Sequence, residues 1–209
     1  MLFLGITGGV GAGKSEILSY IRKNFNSRVM LADEIAHDLM EPGTSCNERL
    51  QELFAGDAVF DENGVIDRPQ MAQVIFTDDE KREALNAIVH PAVKDYIIEQ
   101  AAKERSEGKT ELLVLEAALL IEEDYGAICD ELWYIYTSEE NRRGRLKTSR
   151  GYSDAKVQSI FDSQMPEAVY REHCAVVIDN NKTPAEAFRQ VQDALSDRGI
   201  TPGFSVQQN

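Results

Sequence analysis

The chain has 209 residues, enough for one sizeable core or for one core carrying an inserted subdomain. Its apolar content of 43% and charged content of 28% are those of a soluble globular protein, and no apolar run reaches membrane-spanning length. A net charge of −14 argues against a nucleic-acid partner, because phosphate backbones need a basic face, but leaves room for a small anionic substrate at a local basic cluster.

The first predicted element is the apolar run Leu2–Ile6, a strand that breaks into Gly8-Gly9-Val10-Gly11-Ala12-Gly13-Lys14-Ser15. The pattern G-x-x-x-x-G-K-[ST] between a strand and a helical pattern is a phosphate-binding loop. Glycines let successive backbone N–H groups turn inward around a phosphate chain. Lys14 brings a cation to the β- and γ-phosphates, Ser15 offers a hydroxyl to Mg²⁺, and the helix start adds its positive dipole end. ATP and Mg²⁺ are therefore the expected ligands. The N-terminus lacks the basic-then-apolar pattern of a signal peptide, so a cytoplasmic location is expected.

Ile17, Leu18 and Ile21 continue the helix toward Phe25, and residues 28–32 read as a buried strand ending at Asp33. This βαβ unit predicts parallel strands, neighbouring or nearly so, with ligands at their carboxyl ends. Asp33 would share that edge with the loop. There it could accept a substrate hydroxyl's proton or hold the metal; an N-cap role for the helix that follows is the alternative.

Residues 42–109 are predicted helical: an amphipathic stretch at 47–54, a turn at Asp61–Gly64, an Asp67 cap with Pro69 in the first turn, and an acidic helix start at 77–80. A break at His90-Pro91 lets Pro91 begin the next helix. That is too much helix for a crossover, so a helical substrate subdomain inserted at the sheet edge is expected. Leu112–Leu115 is the next buried strand, closed by Glu116, a position suited to holding Mg²⁺ through water. A strand at 132–136 precedes the cluster Arg142, Arg143, Arg145, Lys147 and Arg150. This is either a solvated helix face or a lid closing on phosphates, for which the planar guanidinium fork is suited. A last strand at 175–178 ends at Asp179-Asn180-Asn181, a helix runs from Pro184 to Leu195, and the tail from Asp197 is expected to fray. Cys46, Cys129 and Cys174 have neither disulfide nor zinc spacing and read as reduced thiols.

The expected architecture is an α/β fold of the P-loop nucleoside-triphosphate-hydrolase type, one domain over 1–209. Its core would be 1–41, 110–138 and 168–196, its substrate subdomain about 42–109, and its lid about 139–167.

Several blocks together are more specific than the loop. Thr7–Ser15, Ala32-Asp33-Glu34-Ile35-Ala36, Glu41-Pro42-Gly43, Asp61–Arg68, Leu85–Pro91, Gln164 and Ala175–Asn181 resemble, in order and at similar spacing, the dephospho-CoA kinase family. The resemblance implies a five-stranded parallel sheet, a helical CoA-binding subdomain and a lid. It also implies transfer of the ATP γ-phosphoryl group to the ribose 3′-hydroxyl of dephospho-CoA. By carry-over Asp33 is the base, Lys14 stabilises phosphate charge and Ser15 ligands the metal. The loop from Gly8 to Glu16, with Asn180, holds the nucleotide, while Thr7, Asp33, His90 and Glu116 face the acceptor. The chain departs from the family pattern at Leu31, where a second aspartate is usual, and at Glu16, where threonine is common. It departs again at Glu116-Ala117-Ala118, where the family has Asp-x-Pro, and at Ser149, where it has a phosphate-contacting arginine. Arg150 and Arg142 are the candidate replacements. A kinase for another nucleoside-like or small-molecule hydroxyl, or a catalytically weak ATP-binding regulator, is the alternative, and the oligomeric state stays open.

Overall fold

Three apolar runs build the middle of a five-stranded parallel sheet in the computed structural model, which describes residues 1–203. They are β1 (Leu2–Thr7), β3 (Leu112–Glu116) and β4 (Glu131–Tyr136); β2 (Ser27–Leu31) and β5 (Val176–Asp179) are the edges, in the order β2-β3-β1-β4-β5. Leu4 pairs with Val114 on one side and Glu131 on the other, so β1 is central and its apolar residues are buried on both faces. The strand expected at 28–32 starts one residue earlier, and of its five residues only Met30 is buried. An edge strand has one neighbour, so burial on both faces was too strong an expectation.

On the sheet unit, α1 (Lys14–Asn24) and α9 (Pro184–Ser196) pack together, with Tyr20 stacked on Phe188 at 4.3 Å. Thr183 and Glu186 form a reciprocal capping box at the start of α9. At its end Gly199 takes φ 75°, Ile200 N–H reaches Leu195 O and Gly199 N–H reaches Ser196 O, the paired bonds of a Schellman closure. The segment after Asp197 is thus tied down through Ile200 rather than frayed; residues 204–209 lie outside the described ones.

Within that closure Arg198 donates to both Glu131 oxygens, at 2.7 and 2.8 Å, and its guanidinium lies 5.3 Å from the Trp133 ring centroid. The Arg198 hydrogen bonds, assisted by one from the Trp133 indole, hold the Glu131 carboxyl below the ordinary glutamate range. A lowered folded value stabilises the protein above the unfolded pKa of about 4.3, and that contribution is lost as pH falls through the folded value. Arg198→Ala should therefore cost about 1 kcal/mol at pH 7, with the deficit shrinking below about pH 4, read from denaturant midpoints at the two pH values.

The chain divides into two compact units, residues 1–30 with 104 onward, and residues 31–103. The second unit thus starts at 31 rather than 42 and contains α2 (Ala32–Leu39), α3 (Ser45–Leu53), α4 (Arg68–Thr77) and most of α5 (Asp79–Glu107). Asp67 caps α4 by accepting from Gln70 N–H, and the Asp61 carboxylate collects the Asn63 and Val65 N–H groups of the turn, each at 2.8 Å. Fully buried Asn47 donates to Met40 O and Gly64 O and accepts from Gln51, locking α3 to the turn. The break expected at Pro91 does not occur: α5 runs through it for 29 residues. Val89, Val93, Ile97 and Ala101 recur every four residues as one buried stripe, and burial along it outweighs the single backbone hydrogen bond that proline removes.

Candidate active site

The loop between β1 and α1 is braced from below by donors converging on one carbonyl. Ala12 O accepts from Thr137 Oγ1 at 3.0 Å, Asn180 Nδ2 at 2.8 Å and Arg145 Nη1 at 3.2 Å. A trans peptide points its N–H opposite to its C=O, so pinning this carbonyl turns the Gly13 N–H away from the buried platform. Gly13 takes φ 91°, and a Cβ there would overlap Asn180 Nδ2; glycine is needed for both conformation and space. Arg142 Nε donates to Val10 O at 2.9 Å, which turns the Gly11 N–H outward by the same logic.

Lys14 Nζ donates to Gly8 O at 2.7 Å and lies 3.4 Å from Glu116 Oε1, the carboxylate at the end of neighbouring β3. The parallel pairing of β1 with β3, Ile6 opposite Glu116, brings these two groups to one strand end. Ser15 and Glu16 are exposed in the first turn of α1. An acid there is favourable to the helix dipole on its own account.

The basic cluster lies on α6 (Glu139–Arg150), followed by α7 (Asp154–Asp162) and α8 (Glu167–His173). Leu146, Val157 and Phe161 form an apolar cluster onto which Val10 of the loop packs, so α6 and α7 are seated on the loop. Arg142 and Arg145 face it. Arg142 stacks 4.4 Å from the Phe161 centroid, hydrogen-bonds Gln164, and lies so close to Gly9 that a Cβ there would overlap its guanidinium. Burial pushes its pKa down, opposed by the nearby Tyr134, Glu139 and Tyr170. Arg143 and Lys147 face outward and pair with Asp154. Arg150, expected at the phosphates, is exposed at the C-terminal end of α6 with its guanidinium 5.9 Å from the Tyr152 ring centroid, whereas Arg142, Leu146 and Arg145 of α6 lie against the loop. Eight residues along a helix turn a side chain about 80° from Arg142, enough to take it off the loop face.

Among the expected site residues, the structure brings together Gly8–Ser15, Glu116, Arg142 and Asn180. Asn180 is only 2% exposed and donates to Ala12 O beneath the loop. Thr7 closes β1 at 1% exposure, with a buried hydroxyl that has no hydrogen-bond partner. On one side β4 continues past it to Tyr136, whereas on the other β3 already ends at Glu116, opposite Ile6.

Asp33 and His90 belong to the second unit. Asp33 is exposed in the first turn of α2, whose N-cap is Leu31 with no side-chain cap, so the capping alternative does not hold. His90 is half-buried in α5. That unit also holds a cavity of about 280 Å³, walled by Met40, Ile66 and Met71 and edged by His37 and the Glu41–Arg68 ion pair. Sequence reasoning missed Thr137 and the bracing role of Arg145. The signal for Arg145 was its spacing of three from Arg142; Thr137 had only its place one residue past β4.

Cys46, Cys129 and Cys174 are free and buried, and burial pushes the Cys129 and Cys174 thiols up to about 12, which fits unreactive reduced thiols. Among the described residues no helix is long and apolar enough to cross a membrane.

Comparison with known proteins gives a consistent picture. A family model described as dephospho-CoA kinase matches residues 2–186. A relative from Shouchella clausii named dephospho-CoA kinase is 34% identical over 193 residues, covering 92% of this chain and 96% of the relative. One of the same name from Geobacter sulfurreducens is 34% identical over 198 residues, covering 95% and 99%. The solved dephospho-CoA kinase from Campylobacter jejuni superposes with a TM-score of 0.70 at 20% identity, over 93% of this chain and 96% of that one, which supports the fold.

Proposed function

The chain belongs to the dephospho-CoA kinase family, a family of ATP-dependent phosphotransferases, and from that premise we propose that it moves the γ-phosphoryl group of ATP to the ribose 3′-hydroxyl of dephospho-CoA. The observation that carries this reading is the braced loop: carbonyls pinned inward, N–H groups turned outward, and Lys14 at its end beside Glu116. The bonds that hold this arrangement lie within the chain itself, which suits a loop that presents its amides to phosphate oxygens.

In this reading the loop amides bind the phosphates and Lys14 neutralises charge between β and γ. Asp33 takes the proton from the acceptor hydroxyl as the oxygen attacks phosphorus in line with the departing ADP oxygen. The Ser15 hydroxyl and the Glu116 carboxylate are hard oxygen donors and fit Mg²⁺; Glu116, already beside the phosphate lysine, would hold it directly or through water. When bound, that ion supplies charge neutralisation on the phosphate oxygens. The apolar-walled cavity of the second unit and His90 are the proposed acceptor side, a wall suited to the uncharged arm of a CoA precursor.

An ADP-release assay tests the reading, with dephospho-CoA set against a panel of nucleosides and small alcohols. Turnover specific to dephospho-CoA is expected. Turnover of another hydroxyl instead would reassign the acceptor, and ATP binding without turnover of any acceptor would make the chain a nucleotide-binding regulator.

A further inference from the structure

We propose that Arg142 is the guanidinium that meets the transferring phosphoryl group, doing from position 142 what an arginine at 149 would do. This rests on the reading that the loop holds ATP. The geometry of α6 carries it. One face of this helix lies along the loop, with Arg142 against Gly9, Leu146 against Gly11, and Arg145 against Ala12 and Gly11 carbonyls. Positions 142 and 149 are seven residues apart, two turns along the same face, so a charge moved between them stays on the loop side. Ser149 itself is exposed and spends its hydroxyl on Arg145 O of its own helix at 2.7 Å.

Three arginines compete for the role, and their partners separate them. Arg150 lies 5.9 Å from the Tyr152 ring centroid, from a position about 80° round the helix from Arg142. Arg145 is committed to scaffolding: Nη1 points at Ala12 O and Thr137 Oγ1, and Nη2 donates to Asn180 O at 2.7 Å. Arg142 is different. A guanidinium has five N–H donors, and Nε on Val10 O with Nη2 on Gln164 uses two of them. The rest lie beside Gly9, the residue where the loop opens. The Phe161 ring beneath the guanidinium fixes the plane of the fork.

Charge gives the second argument. The chain has 36 acidic and 22 basic residues, and Arg28, Arg105, Arg143, Arg171 and Arg198 all pair with carboxylates. Arg142 is half-buried and, among the described residues, forms no ion pair; its partners are a carbonyl, an amide and an aromatic face. Glu139 attracts this cation without touching it, so much of the cost of taking it out of water remains, and a phosphate arriving at its free edge relieves that cost. Arg142 neither gives nor takes a proton; it neutralises the equatorial oxygens as the phosphoryl group passes between attacking and leaving oxygens.

The test uses the full chain with Arg142→Gln and with Arg142→Gln/Ser149→Arg. Three quantities are measured: kcat with dephospho-CoA, affinity for ADP and for a non-hydrolysable ATP analogue, and the thermal midpoint. Arg142→Gln should lower kcat about 100-fold and remove the preference for the ATP analogue over ADP. ADP affinity should fall by no more than about tenfold and the midpoint by no more than about 5 °C, the share owed to the lost bond to Val10 O and stack on Phe161, since no γ-phosphoryl contact is involved in either. Ser149→Arg in that background should restore at least about tenfold of kcat. A kcat within threefold of the parent overturns the proposal. So does parallel loss of ADP affinity and midpoint, which would make Arg142 a strut, and so does failure of the second substitution to restore rate. Should the parent not turn over dephospho-CoA, the acceptor reading fails, and the ATP-against-ADP preference still decides the role of Arg142.

Discussion

Lys14→Met should reduce kcat/KM for ATP about a thousandfold. Lys14 Nζ is held between Gly8 O at 2.7 Å and Glu116 Oε1 at 3.4 Å, with both charged side chains largely buried. Removing the cation has two effects of the same sign. The attraction for the β- and γ-phosphates goes, and the Glu116 carboxylate is left unpaired where anionic phosphates must sit. Compared without Mg²⁺, so that an ion held by Glu116 does not enter, the double variant Lys14→Met/Glu116→Gln separates them, because it removes the attraction without exposing the repulsion. Its ATP-analogue affinity, measured by calorimetry, should lie between the parent and Lys14→Met. If Lys14→Met alone stays within tenfold of the parent, the phosphates do not bind at this loop end.

Asp33→Asn should lower kcat about a thousandfold while leaving ATP affinity nearly intact. The substitution keeps the shape of the side chain and removes only its ability to take a proton. Asp33 is exposed in the first turn of α2 and caps no helix, so only its attraction to the helix dipole, about 0.5 kcal/mol, is lost with the charge. The expected signature is a kcat effect with unchanged ATP-analogue binding and a nearly unchanged thermal midpoint. Lost ATP binding would instead assign the carboxylate to the metal.

The loop was legible because its chemistry is local: glycines, lysine and serine at fixed spacing, after an apolar strand, leave few alternatives. Glu116 was legible for a related reason, since a charged residue closing a buried strand must reach the strand end. The chain order put Asp33 directly after a strand over 28–32, whereas β2 stops at Leu31 and α2 starts at Ala32, so Asp33 stands two residues past the strand, in the first turn of the helix rather than at its cap. Two expectations failed on packing. Pro91 looked like a boundary because its local cost is visible in the sequence, whereas the stripe from Val89 to Ala101 that overrides it needs neighbours to bury it. The tail after Asp197 looked polar, yet Arg198 meets Glu131 and Ile200 is buried, both contacts with partners remote in the chain.

The arginine cluster shows where sequence alone reaches its limit. Composition marked α6 as the basic element of an acidic chain, and the family resemblance marked Ser149 as a missing arginine. Which of five cations faces the loop depends on how α6 is rotated over it, and that is set by Leu146, Val157 and Phe161 packing against Val10. Sequence determined the chemistry available: a phosphate loop, its lysine, and carboxylates following strands. Tertiary structure decided its disposition, pinning the Ala12 carbonyl with Thr137, Asn180 and Arg145 and turning Arg142 to Gly9. The reason is physical: residue type and short-range spacing set local geometry, while the rotation of one helix over another element is a compromise among burials contributed by distant parts of the chain.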